Sequence, residues 1–176
     1  GVTTVPVKYS LLASAYDEKV RGKIRDDIDG RSLGGRIRKM ARTSMNDLTV
    51  RFACDAVKSG IPASVIAFDS WFAMPHTISR LMKEAKLTVI ARLKTNSKQY
   101  YEYDGKMVNI KTLYIMSKKR RGKAAWKLSV NVNLLVKEKN KIIERIPVKL
   151  VYLPNRANKK EWICLLSTDT GMDENE

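Results

Sequence analysis

Two short apolar segments, Val65–Phe68 and Leu87–Leu93, constrain the fold of this chain more than any other feature. Both are made largely of β-branched and large apolar residues, which favour strands. Pro75 lies between them and suits the first turn of a helix. The apolar residues that follow it recur at helical spacing: Ile78, Leu81, Met82 and Ala85. A strand, a helix and a second strand in this order predict an α/β core with some parallel pairing.

The first forty residues are predicted to contain a strand and then a long loop. Residues 2–12 are rich in β-branched residues and alternate in polarity, which favours a strand. Residues 14–42 are strongly charged, and Gly30, Gly34 and Gly35 interrupt any regular element there. We therefore expect residues 14–42 to form a charged loop or lid.

A helix and a series of strands complete the pattern. Ser44 and Asp47 fit a capping box, and Gly60 with Pro62 ends the helix that it begins. Five strands are predicted beyond Lys94, separated by turn signals. They are Tyr100–Tyr103, Met107–Ile110, Lys127–Val136, Ile142–Tyr152 and Glu161–Ser167. A mostly β insertion is therefore expected to follow the α/β core.

The charge of the chain is strongly positive. It has 34 basic and 18 acidic residues, a net charge of +16, and the excess is greatest between residues 101 and 150. A positive field of this size suits a polyanion, and nucleic acid is the commonest one. The alternative is a solvated lysine-rich surface.

Ten basic residues are predicted to contact DNA phosphates, with solvated loops or structural ion pairs as the alternatives. They are Arg36, Arg38, Lys39, Arg92, Lys94, Lys118, Lys119, Arg120, Arg121 and Lys123. Arg92 and Lys94 stand out among them because they leave the strand at which an active-site edge is expected.

Several classes of protein are excluded by composition. A single His and two Cys rule out a His-rich metal cage, an all-Cys zinc module and a disulfide scaffold. The chain has no Walker loop, no signal-peptide pattern and no run of the ~18 apolar residues that a membrane span needs. A reducing, cytoplasmic setting without a membrane partner is predicted.

Asp69 is the main candidate for a catalytic and metal-binding residue. It directly follows the Val65–Phe68 strand, which is expected to be buried, and precedes a helix. Open α/β sheets place ligand-binding groups at this position, and a carboxylate there can hold Mg²⁺. The alternative is a turn or capping aspartate.

Residues 65–72, which read Val-Ile-Ala-Phe-Asp-Ser-Trp-Phe, resemble the second-aspartate motif of bacterial insertion-sequence transposases of the DDE type, in the insertion-sequence-four-like group. Residues 6–12, 31–42 and 89–94 are similar to the same family. The resemblance implies an RNase H-like mixed sheet with flanking helices, interrupted by a β insertion. It also implies that three acids hold two Mg²⁺ or Mn²⁺ ions for DNA cleavage and strand transfer, with Asp69 as the second acid.

The same resemblance predicts the organisation of the chain. Residues 1–97 would be part of the catalytic core, 98–168 the basic insertion, and 169–176 the start of the return to the core. The implied partners are double-stranded DNA and, for the complete protein, a second copy of the chain. The implied location is the bacterial cytoplasm, at the nucleoid.

The two other acids of the family are not found at matching positions. The first is expected to precede Gly1. The third belongs to a Y-x2-R-x3-E-x6-K helix, and Tyr152, Arg156 and Glu161 only approach that spacing. We therefore expect this chain by itself not to cut DNA. Two alternatives remain: a non-catalytic nucleic-acid-binding module, including a decayed transposase remnant, and a basic structural protein of ribosome or chromatin.

Few other residues have a possible chemical role. Trp126 and Trp162 are predicted to pack in the core, with stacking on a flipped base as the alternative. Trp71 is expected to pack in the wall of the site. His76 is interpreted as a surface or capping residue, and Cys54 and Cys164 as small buried apolar residues.

Overall fold

The computed structural model describes residues 8, 10, 27–96, 98–117, 128–158 and 161–173. The chain divides into two compact units, Gly1–Ile61 and Pro62–Glu176. Of the strand predicted at residues 2–12, only residues 8 and 10 are described, and neither lies in a strand. No helix within the described residues is long and apolar enough to cross a bilayer.

The first unit contains helix α1, Leu33–Ala41, and helix α2, Met45–Lys58. The prediction of α2 is confirmed. Its capping box is formed: the Ser44 hydroxyl accepts a hydrogen bond from the Asp47 amide at 3.1 Å and donates one to the Asp47 carboxylate at 2.6 Å. Gly60 follows the helix with φ of +82°, a conformation that favours glycine.

The loop predicted at residues 14–42 is wrong over α1. Ser32 begins this helix, because its hydroxyl oxygen accepts from the Gly35 amide at 3.0 Å. A Cβ atom at Gly35 would lie 2.3 Å from the carbonyl oxygen of Asp29. This glycine therefore permits close approach of the backbone and does not interrupt the helix. The rest of the predicted loop, residues 14–26, lies outside the described residues.

The second unit is built on one seven-stranded mixed sheet. Its strands are β1 Val65–Phe68, β2 Thr88–Leu93, β3 Tyr101–Tyr103, β4 Lys106–Val108, β5 Leu128–Glu138, β6 Lys141–Pro154 and β7 Trp162–Ser167. Their order is β1-β2-β7-β6-β5-β3-β4. β1 and β2 pair in parallel, as predicted, and all other neighbours are antiparallel. The α/β class is confirmed.

The domain boundary predicted at residues 97/98 falls inside this sheet. β2 precedes that boundary and β7 follows it, yet they pair directly, with Leu93 opposite Cys164. The sheet therefore continues without a break from the predicted core into the predicted insertion.

Helix α3, Pro75–Arg80, continues into a π-helical turn, Leu81–Ala85, and packs on β5. Helix α4, Ile110–Ser117, was not predicted, and the strand expected at 107–110 is found as β4, which ends at Val108 before this helix begins. The Asn109 side chain accepts from the Thr112 amide at 2.9 Å and so begins α4.

The core lies on one face of the sheet. Alternate residues of the central strands point to it and are almost completely buried: Ile146, Val148, Leu150 and Tyr152 of β6, and Cys164 and Leu166 of β7. The Tyr152 hydroxyl donates to the carbonyl oxygen of Ile110 at 2.9 Å, which satisfies this polar group inside the core. β1 differs from the prediction, because it is an edge strand and none of its residues is buried.

A partly buried polar contact joins α3 and the π-helical turn that follows it to the β5–β6 hairpin. The Glu144 carboxylate accepts from the Ser79 hydroxyl at 2.6 Å and from the Lys83 ammonium at 2.7 Å. Partial burial raises the pKa of Glu144. The hydrogen bonds from Lys83 and Ser79 lower the pKa by more than burial raises it, so the pKa of Glu144 lies below the usual range of glutamate. The ionised carboxylate therefore stabilises the packing of α3.

The two adjacent glycines of α1 should respond differently to alanine. Gly35→Ala should destabilise α1 by about 1 to 3 kcal/mol, because the new methyl group meets backbone at Asp29. Gly34→Ala is the control, since its Cβ would meet only the flexible end of Arg38. Hydrogen exchange of the α1 amides measures the effect. Equal protection in both variants would contradict this account of Gly35.

Glu144→Gln should lower the free energy of unfolding of the second unit by about 1 to 2 kcal/mol at neutral pH. Because folding lowers the pKa of Glu144, its stabilisation is complete above the unfolded value of about 4.3 and is lost as the pH falls through the folded value. The difference between the variant and the parent chain should therefore shrink in acid. Urea denaturation followed by tryptophan fluorescence reports on this unit, because all three tryptophans follow Ile61. Glu138→Gln, an exposed change in the same hairpin, should have little effect at any pH.

Candidate functional site

A cleft of about 310 Å³ lies where the parallel strands β1 and β2 end. Phe68 is opposite Ala91, so both strands run out at the same edge of the sheet. The cleft brings together three of the predicted site residues, Asp69, Arg92 and Lys94. Its remaining lining residues are Ser70, Leu93, Thr95, Asn96, Asn155, Glu161, Trp162 and Ile163.

Asp69 directly follows β1, as predicted, and its side chain is exposed to the cleft. One carboxylate oxygen, Oδ1, accepts from the Ser70 amide at 2.6 Å. The carbonyl oxygen of Asp69 accepts from the Phe72 amide at 3.1 Å, which closes a turn. Asp69 therefore takes part in this turn, and within the described residues its second carboxylate oxygen makes no hydrogen bond.

Arg92 and Lys94 supply the positive charge of the cleft. Two residues apart on an extended segment, they point to the same face of the sheet. Both side chains are exposed, and neither forms an ion pair with any carboxylate of the described residues. The Lys94 ammonium instead lies 3.8 Å from the centroid of the Trp71 ring. Both cations are thus available to an anion in the cleft.

Asn155 and Glu161 also line the cleft. The sequence predicts no site role for Asn155, and Glu161 only approaches the spacing of the family's third acid. They lie at the two ends of the β6–β7 loop, where the Asn155 amide donates to the carbonyl oxygen of Glu161 at 3.0 Å. The Asn155 side chain also donates to the Glu161 carboxylate at 3.3 Å. Because β7 runs antiparallel to β2, its first residues meet the last residues of β2. This long-range pairing has no local signal in the sequence.

Beside this cleft lies a second cavity of about 480 Å³, which shares Thr95, Glu161 and Trp162 with it. Trp162 stacks on Tyr114, with ring centroids 5.0 Å apart and an interplanar angle of 24°. Tyr152 packs against both rings. Trp162 is half-buried and lines both cavities, so it stacks on its aromatic neighbours without lying in the core as predicted. Trp126 lies outside the described residues.

Trp71 differs from its prediction. Its side chain is 64% exposed and does not pack in a wall of the site. The neighbouring Phe72 instead packs on β1, where its ring lies edge-on to that of Phe68 with the ring centroids 6.3 Å apart. The contact that the structure gives to Trp71 is the one with Lys94.

Three of the other predicted site residues belong to the first unit. Arg36, Arg38 and Lys39 are exposed on α1, in the first unit. Lys118, Lys119, Arg120, Arg121 and Lys123 lie outside the described residues. His76 is a surface residue whose Nε2 is 2.8 Å from the carbonyl oxygen of Lys137. Burial raises the pKa of the Cys164 thiol to about 12, so it is an inert core residue, whereas Cys54 is only half-buried.

The donor set of the cleft can be compared with what Mg²⁺ requires. Mg²⁺ takes one or two protein carboxylates and completes its shell with water and phosphate oxygens. Asp69 offers such a carboxylate and Glu161 a second in the same cleft. No group of three or more metal-binding side chains is assembled within the described residues. One or two carboxylates are the number that a Mg²⁺ ion shared with a phosphate ligand takes from a protein.

Comparisons of the chain with models of protein families, with curated proteins and with solved structures found no match.

Proposed function

We propose that this chain is a central segment of the catalytic domain of a DDE-type DNA transposase, with an RNase H-like fold, and that its cleft binds the DNA backbone. One observation carries the proposal: the cleft brings Asp69 together with two cations, Arg92 and Lys94, that form no ion pair with any carboxylate of the described residues. A carboxylate for a divalent ion beside two phosphate-binding cations is part of the set of groups that phosphodiester chemistry needs.

The residues of the cleft would have two roles, phosphate binding and ion binding. Arg92 can donate two parallel hydrogen bonds to the oxygens of one phosphate, and Lys94 acts as a compact point charge. Asp69 would help to hold two Mg²⁺ or Mn²⁺ ions in the complete domain, where one ion would supply activation of the attacking oxygen and the other stabilisation of the leaving oxygen. In the complete protein, a homodimer acting on double-stranded DNA in the bacterial cytoplasm is part of the same proposal.

A non-catalytic nucleic-acid-binding module is the alternative function. Two features of the cleft favour it. The Glu161 carboxylate accepts a hydrogen bond from the Asn155 side chain, and Asp69 is the one carboxylate among the lining residues that matches an acid of the family motif. Both functions require that DNA bind through Arg92 and Lys94. They differ in whether Asp69 holds a divalent ion.

Arg92→Gln and Lys94→Met should each weaken binding of a short fluorescein-labelled DNA duplex to a similar extent for every base sequence. Each lost phosphate contact should also reduce the slope of log affinity against log salt by about 1. Fluorescence anisotropy over a series of salt concentrations measures both quantities.

Lys106→Met provides the matched control for the cleft cations. Lys106 is exposed on β4, at the opposite edge of the seven-stranded sheet from β1, about 25 to 30 Å across the strands. The Lys106→Met substitution removes the same charge as Lys94→Met and leaves the cleft unchanged. An equal loss of affinity in this control would show that net charge, and not the cleft, binds the DNA.

Asp69→Asn should abolish a divalent-ion site in the cleft. With Mn²⁺ and the DNA duplex present, the amide NMR signals of residues 69–71 and 92–94 should broaden in the parent chain and stay sharp in the variant. An asparagine keeps the shape of the side chain but not its charge, so the loss would report on ion binding.

Asp104→Asn, an exposed turn residue, is the control for general carboxylate binding. Broadening that persists in Asp69→Asn would reject the metal role and favour the binding module. The isolated chain should leave supercoiled plasmid intact in Mg²⁺. Nicking that Asp69→Ala abolishes would contradict this expectation of inactivity and support the metal role.

A further inference from the structure

Trp71 is placed where an indole gains little from burial. Its side chain is 64% exposed, although Phe72 beside it packs against Phe68. Burying a tryptophan normally contributes more to folding than burying any other side chain, since it removes the largest apolar area from water. The exposed position of Trp71, two residues after Asp69, therefore points to a role other than core packing.

The contact that Trp71 makes is with a cation. The Lys94 ammonium lies 3.8 Å from the ring centroid, and tryptophan is the aromatic side chain that attracts a cation most strongly. Lysine has four rotatable side-chain bonds and loses about 2 kcal/mol of rotamer entropy when it is fixed. An exposed cation–π contact contributes about 0.5 to 1 kcal/mol, so the indole offsets part of this cost and favours one orientation of Lys94 at the cleft before any ligand arrives.

The chemical nature of this partner matters. A carboxylate would also orient Lys94, but it would neutralise the ammonium that a phosphate needs. The indole is uncharged, so Lys94 keeps its full positive charge. Asp69 lines the same cleft, and no ion pair within 4 Å joins it to Lys94. Lys94 thus contacts a neutral partner, and the Asp69 carboxylate stays available to a divalent ion.

We propose that Trp71 is a positioning residue, which holds the Lys94 ammonium for a phosphodiester oxygen and keeps it from pairing with Asp69. This inference rests on the proposed function, because it assigns a phosphate to Lys94 and a divalent ion to Asp69. Trp71 thereby sets the affinity of the cleft for both ligands without touching either.

The test is a double-mutant cycle on the 176-residue chain, with the same labelled duplex and anisotropy measurement. Trp71→Ala should weaken DNA binding about two- to fivefold, the range that an exposed cation–π contact supports. In the Lys94→Met background, Trp71→Ala should have no further effect, because there is no ammonium left to position. Trp71→Phe should fall between the parent chain and Trp71→Ala.

A second measurement distinguishes positioning from a direct contact of the ring with DNA. In Trp71→Ala, Lys94 is free to pair with Asp69, so the Mn²⁺ broadening at residues 69–71 should weaken. Adding Lys94→Met to that variant should restore the broadening, since the competing cation is gone. A ring that only stacked on DNA would change neither result at Asp69.

Met74→Ala is the matched control, because Met74 is a large exposed apolar residue of the same loop. It should leave both measurements unchanged. If Lys94→Met does not weaken DNA binding, the proposed function of the cleft fails. If Lys94→Met weakens binding but Trp71→Ala does not, or if the two effects add, the positioning role of Trp71 is rejected and the proposed function stands.

Discussion

The antiparallel pairing of β2 with β7 is the interaction on which the rest of the structure depends. β2 belongs to the parallel pair that ends at Asp69, whereas β7 belongs to the long antiparallel β5–β6–β7 meander. Their ladder, with Leu93 opposite Cys164, makes these two parts one sheet with one buried face. It also places the first residues of β7 beside the last residues of β2, which gives the cleft its second wall.

The balance of charge in this cleft differs from that at the other contacts of the sheet. Glu102 pairs with Arg145, and Glu144 with Lys83, so those charges are largely satisfied within the protein. Arg92 and Lys94 have no such carboxylate among the described residues, and an aromatic ring holds Lys94. Cations that are oriented but not neutralised bind a phosphate with less loss of conformational entropy, which is the physical basis of the proposed function.

Local signals explain which elements were predictable. Ser44 and Asp47 predict α2 because a capping box acts within one turn, and Phe68 followed by Asp69 predicts where β1 ends. Two errors have physical causes. The glycine beside Asp29 allows close packing, although glycine usually interrupts a helix. Helix α4 is short and rich in apolar and β-branched residues, so its composition resembles a strand, and only the Asn109 cap marks its start.

The sequence by itself determined the α/β class, the parallel β1–β2 pair and the placement of Asp69 at the end of a strand, because each depends on neighbours within about thirty residues. The tertiary structure alone decided that β1 is an edge strand, that Glu161 lies in the cleft, and that Trp71 contacts Lys94. These depend on strands far apart in the chain meeting in one register. Such pairings follow from the burial of a shared sheet face, which no single segment of the sequence specifies.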